Sequence, residues 1–138
     1  MIVADSSYVI DYLLSQGTTT GEEQMVAPDL VVYEVANAIF VRERILHLTD
    51  SGRRYVSALF KAIDASVIEL VDSSEGLMKE AYEIAARNNA AVYDCVFVAL
   101  SLRSGLHLET RDTRQMKIFE LEKARLSGPH PSAAESGD

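Results

Sequence analysis

Apolar and polar positions alternate along the chain in blocks whose period shifts between that of a helix and that of a short buried strand. IVA at positions 2–4 is a brief apolar run with two β-branched residues. It is followed by Asp5-Ser6-Ser7 and then YVIDYLL, in which Val9, Ile10, Leu13 and Leu14 keep helical spacing. Strand, acidic corner and helix is the predicted order, with Ser6 or Ser7 as the helix cap. A polar loop holding Gly17, the threonines 18–20 and Gly21 comes next. Pro28-Asp29 then opens LVVYEVANAIFVRERI, where Val31, Val35, Ala38 and Ile39 predict a helix buried on most sides. After a turn at 49–52, Tyr55, Val56, Leu59, Phe60 and Ile63 mark an amphipathic helix, and VIELV at 67–71 reads as a strand.

From Ser74 to Arg87, the stripe Leu77, Met78, Ala81, Ile84 and Ala85 predicts a surface helix, with Lys79–Glu83 and Glu83–Arg87 as helical pairs on the wet side. Asn88-Asn89 ends it. AAVYDCVFVALSLRSG predicts a strongly buried helix closed by Gly105. HLET at 107–110 is a short strand leading to Arg111-Asp112 and the helical stretch TRQMKIFELEK. Strands alternating with helices imply an α/β fold with a parallel sheet covered on both faces. From Ser127 the chain reads SGPHPSAAESGD, without a large apolar group, so 1–126 is expected to form the domain and 127–138 a disordered tail.

A length of 138 residues suits one domain. No stretch free of charge exceeds the ten residues Tyr12–Gly21, so no segment approaches the roughly 20 apolar residues of a membrane span. The start MIVADSSYVI lacks a basic leader, and a cytoplasmic location is expected. The lone Cys95 sits in an apolar run, and His47, His107 and His130 are scattered, so neither a disulfide framework nor a zinc cluster is expected. Thirteen Lys and Arg against twenty-one Asp and Glu leave a net charge of −8, a field that repels nucleic acid unless a local site reverses it.

Four carboxylates stand where acids are unusual. Asp5 ends MIVA, Glu34 is the lone charge between Asp29 and Arg42, and Asp94 is the lone charge between Arg87 and Arg103. Asp112 follows the strand-like HLET, and so shares with Asp5 the position just beyond a strand's carboxyl end, the edge where open parallel sheets bind ligands. Any one of these acids taken alone reads most simply as a cap, an ion-pair partner or an outward-facing group. If all four face one corner, each pair at about 4 Å repels by roughly 4 kcal/mol at an effective dielectric of 20. A cation is then required. An all-oxygen donor set favours Mg²⁺ or Mn²⁺ over zinc, and such ions assist phosphodiester hydrolysis. Ser7 and Thr110 lie two residues from Asp5 and Asp112 and are expected to orient a carboxylate or water, or simply to cap a turn. Asn37, one turn after Glu34, is a further supporting candidate. Arg111, Arg114 and Lys117 beside Asp112 read as a solvated helix start or a phosphate clamp.

The blocks IVADSS, PDLVVYEVANAI, AAVYDCVFVALSLRSG and HLETRD, in this order over residues 1–120, resemble the PIN-domain family, specifically the small VapC-type toxins of prokaryotic toxin–antitoxin pairs. The resemblance implies a Rossmann-like three-layer fold and a ribonuclease using Mg²⁺ or Mn²⁺ held by Asp5, Glu34, Asp94 and Asp112, with Ser7 and Thr110 in supporting places. It also implies RNA as substrate, a homodimer, and a cognate VapB-like antitoxin covering or entering the acidic pocket. Cys95 stands where alanine is common, no further acid or Asn follows Asp112 closely, and only KARL at 123–126 is available as a last strand. Two other readings compete: an inactive PIN-like module that binds a partner's arginine-bearing tail, and phosphoryl transfer onto Asp5. The second lacks the paired acid and the lysine such sites use.

Overall fold

The protein is described here by a computed structural model covering residues 1–15, 24–47 and 51–128. Four strands, β1 (Ile2–Ala4), β2 (Met25–Pro28), β3 (Ile68–Val71) and β4 (Leu108–Glu109), form one parallel sheet in the spatial order β3-β2-β1-β4. Val3 sits opposite Val26 on one side and Leu108 on the other, and Met25 opposite Ile68. All five are buried, as expected for strands covered on both faces.

Among the described residues there are six helices: α1 (Ser6–Leu14), α2 (Leu30–Arg44), α3 (Gly52–Asp64), α4 (Glu75–Asn88), α5 (Val92–Ser104) and α6 (Thr113–Ser127). From β1 through β2 to β3 the chain steps one way across the sheet. It then returns past β1 to β4. Parallel crossovers are right-handed, so this reversal places α1–α3 on one face and α4–α5 on the other. The packing agrees: α1, α2 and α3 touch one another, while α5 lies on β1, β2 and β4 with α4 and α6 against it. Seven consecutive residues of α5, Cys95–Ser101, are buried, which is why its sequence is apolar on all sides. Gly105 ends it with φ +70°, the left-handed conformation that glycine adopts without steric cost.

Several local expectations need correcting. Residues 25–27, for which the pattern predicts no element, and Pro28, read as opening the helical stretch, form β2, an interior strand. Pro28 is its last residue, where its missing N–H interrupts no continuing ladder. α1 is capped by Asp5, not by Ser6 or Ser7. α2 is buried along one stripe, Val31, Val35 and Ile39, while Tyr33 and Phe40 are 76% and 54% exposed. Lys79 pairs with Glu75 instead of Glu83, and Arg87 reaches across to Glu122 on α6. KARL continues α6 and forms no strand. Ser127 is the final residue of that helix; most of the expected tail, 129–138, and the loop at 16–23 lie outside the described residues.

Candidate active site

The reversal in strand order falls between β1 and β4, and the crevice beyond their carboxyl ends is where such sheets bind ligands. Asp5 leaves β1 there. It is only 5% exposed, and its Oδ1 accepts hydrogen bonds from the Tyr8 backbone N–H (3.1 Å) and the Ser7 hydroxyl (2.7 Å). Thr110, one residue past β4, donates its hydroxyl to Asp5 Oδ2 at 2.6 Å. Both hydroxyls are also acceptors: Ser7 Oγ takes the Arg111 N–H at 2.8 Å, and Thr110 Oγ1 takes the Asp112 N–H at 2.9 Å. The expected supports of two separate acids thus converge on Asp5 and tie β1 to the turn after β4.

Asp112 caps α6, its Oδ1 accepting from the N–H groups of Arg114 (2.9 Å) and Gln115 (3.2 Å). Asp94 lies half-buried in the first turn of α5, and Glu34 half-buried on the second turn of α2. Three of the four acids therefore stand at helix N-termini, whose dipoles favour negative charge. Their mutual influence places them on one edge. Burial, opposed by the Ser6 hydroxyl and reinforced by the charges of Asp94 and Asp5, pushes the Glu34 carboxyl up to about 7. Burial and then the charges of Asp112 and Asp5 raise Asp94, with Arg114 pulling the other way. Among the described residues none of the four makes an ion pair.

The donor set, hard carboxylate oxygens held in mutual repulsion, fits a divalent cation such as Mg²⁺ or Mn²⁺. As the side chains are placed, no three described His, Cys, Asp or Glu residues close tightly enough to hold an ion. Asp5 is fixed by three hydrogen bonds.

The other candidates separate. Asn37 is exposed and makes no hydrogen bond to Glu34 among the described residues. Arg111 is occupied by Asp11 at 2.7 Å and lies over the Tyr8 ring at 5.1 Å, and Arg114 donates to the Asn89 carbonyl at 2.9 Å. Of that basic group, Lys117 has no ion pair among the described residues. Cys95 is buried and its thiol pushed up to about 11, chiefly by burial, which removes thiolate chemistry. His107 faces Glu109 and the edge of Phe119. Sequence reasoning missed Gln115. It is 3% exposed, its amide donates to the Asp94 carbonyl at 2.9 Å, and its N–H reaches Asp112, so it couples two acids from different helices.

Comparison with known proteins follows the same lines. Residues 2–120 match the family described as PIN domain. No curated protein matches the chain. Among solved structures, PAE2754 from Pyrobaculum aerophilum is similar with a TM-score of 0.67 and 18% identity. The alignment covers 91% of this chain and 94% of that one. A likeness at that identity concerns the fold.

Proposed function

Because the chain belongs to the PIN-domain family, generally a nuclease fold, we propose that it is a Mg²⁺- or Mn²⁺-dependent endoribonuclease acting as the toxin of a toxin–antitoxin pair. The observation that carries this reading is the pair Glu34 and Asp94. Both are half-buried, both are pushed up, first by burial and then by neighbouring acids, and neither has an ion-pair partner among the described residues. Acids whose protonation is shifted by burial together with specific charged neighbours are candidates for a functional site. Asp5, Glu34, Asp94 and Asp112 are the ligands in this reading. A divalent ion there supplies the positive charge and the acidified water that phosphodiester hydrolysis needs at neutral pH.

The chain's own residues do the rest. Ser7 and Thr110 lock the Asp5 carboxylate. Gln115 sets the start of α5 against the start of α6, and with it the spacing of Asp94 and Asp112. Lys117 and Arg114 offer positive charge to an RNA phosphate at the edge of an otherwise acidic molecule. The reading extends to a cytoplasmic homodimer silenced by a VapB-like antitoxin, for which the net charge of −8 suits a basic partner segment. No helix among the described residues is long and apolar enough to cross a membrane. Phosphoryl transfer onto Asp5 is disfavoured, since both oxygens of this buried carboxylate are already hydrogen-bonded.

The test is RNA cleavage by antitoxin-free protein in Mn²⁺. Cleavage stopped by a chelator and lost in Asp5→Asn and Asp94→Asn is the expected result. Intact RNA under all conditions, with antitoxin still bound, would establish an inactive binding module instead.

A further inference from the structure

Three clefts lie away from the four acids, and they differ in charge. A cleft of about 300 Å³ between α4, α5 and α6 mixes Glu80, Glu83 and Glu122 with Arg87 and Arg103. A second, about 480 Å³ between α2 and α3, sets Glu43 against Arg44 and Arg53. The third, about 520 Å³ between α1, α3 and the residue before β3, carries Tyr12, Tyr55, Arg54 and Lys61 over a floor of apolar groups, and no acid among the described residues lines it. In a chain of net charge −8 that is a local reversal of sign.

Arg54 lies over the Tyr55 ring at 5.7 Å, and among the described residues neither Arg54 nor Lys61 forms an ion pair. Helix α1 joins the cleft to the acidic edge, with Asp5 capping its start and Tyr12 near its end lining the cleft. Tyr12 stands four residues after Tyr8 on α1, so the two rings share one face of the helix. Tyr8 carries Arg111, whose backbone N–H is bonded to Ser7 beside Asp5. Tyr8, beneath an Arg111 that is itself paired with Asp11, and then Tyr12 thus lead along the roughly 13 Å of α1 from the acidic edge to Tyr55 and Arg54 on α3. Aromatic rings interleaved with cations are the arrangement that grips single-stranded nucleic acid, the rings stacking on bases and the cations following the backbone.

We propose that the α1–α3 cleft is a substrate subsite, which takes an unpaired nucleotide of a single-stranded RNA a few residues from the scissile bond. Its base lies against the Tyr12 and Tyr55 rings and its phosphate against Arg54 and Lys61. The proposal rests on the ribonuclease reading, which it deepens by assigning the strand a path away from the acids. A volume of about 520 Å³ lies in the range of small-ligand sites.

The experiment is fluorescence anisotropy with a labelled oligouridylate in chelator, where binding is read without cleavage. Arg54→Ala/Lys61→Ala changes two exposed residues and Tyr55→Ala removes a ring; each is expected to weaken binding about tenfold or more. Tyr55→Phe retains the ring and is expected to bind as wild type. The charge-matched Lys79→Ala/Lys123→Ala, on the opposite face, is expected to stay within about twofold. Equal weakening by both charge-matched pairs, no effect of Tyr55→Ala in a folded protein, or uridine monophosphate binding as tightly as the oligomer would each overturn the subsite. The ribonuclease reading stands or falls separately, by Mn²⁺-dependent cleavage and its loss in Asp94→Asn.

Discussion

Ser7 and Thr110 each donate one hydrogen bond to Asp5 and accept one from the backbone of the β4–α6 turn, so each hydroxyl has one orientation that satisfies all partners. Thr110→Val keeps the shape but strips the donor from Asp5 Oδ2 and the acceptor from the Asp112 N–H. It is expected to cost about 1–3 kcal/mol, read as a lower denaturation midpoint. An unchanged midpoint would remove Thr110 from the support of Asp5. The four acids were legible because each interrupts or ends an apolar run. Gln115 was not: it sits in an ordinary amphipathic helix, and its partner is the carbonyl of Asp94, a backbone group that leaves no trace in sequence.

Helix boundaries followed from periodicity and caps, but partners between elements did not. Glu83 and Arg87 have the spacing of a local pair, yet Arg87 bonds Glu122 at 2.8 Å and 3.3 Å, and Asn88 adds a third bond at 2.9 Å. Glu122 is 4% exposed, and a carboxylate so buried needs a cation more than a solvated glutamate does. Burial acts to raise its carboxyl, but the hydrogen bonds from Arg87 and Asn88 and the charges of Arg87 and Arg125 outweigh it and hold the group below the usual range. Stability from this cluster is therefore present above the ordinary glutamate range and is lost as pH falls through the lowered folded value. Arg87→Ala is expected to cost about 2 kcal/mol near neutrality, and less in acid, measured as unfolding midpoints against pH. A constant cost across pH would show that Arg87 acts by packing alone. β2 escaped the sequence because its four residues run through Asp29 straight into the apolar start of α2 and carry little pattern of their own; two flanking strands make it an interior strand.

Across the whole molecule, the order β3-β2-β1-β4 brings acids from distant segments to one edge, and the consequence is a fold that stores repulsion there. Glu34, raised from 4.5 to about 7, has the opposite linkage to Glu122: the folded state holds its proton more tightly, so stability falls as pH rises from about 4.5 through 7. Without metal, the wild type is expected to be most stable in mild acid, between the two titrations. Glu34→Gln should flatten the fall toward alkaline pH and raise the midpoint there; a steeper fall in that variant would contradict the assignment.

The most direct test of the acidic edge as one cation site is thermal unfolding with and without Mn²⁺, for wild type and Asp94→Asn. An ion that binds only the folded state stabilises it by RT ln(1 + [L]/Kd), about 2.7 kcal/mol at a hundred times Kd. Wild type is expected to gain stability in Mn²⁺, while Asp94→Asn is more stable than wild type in chelator and loses most of the response. No response of either protein across millimolar Mn²⁺, with Asp94→Asn simply less stable, would make Asp94 a structural acid and contradict the account.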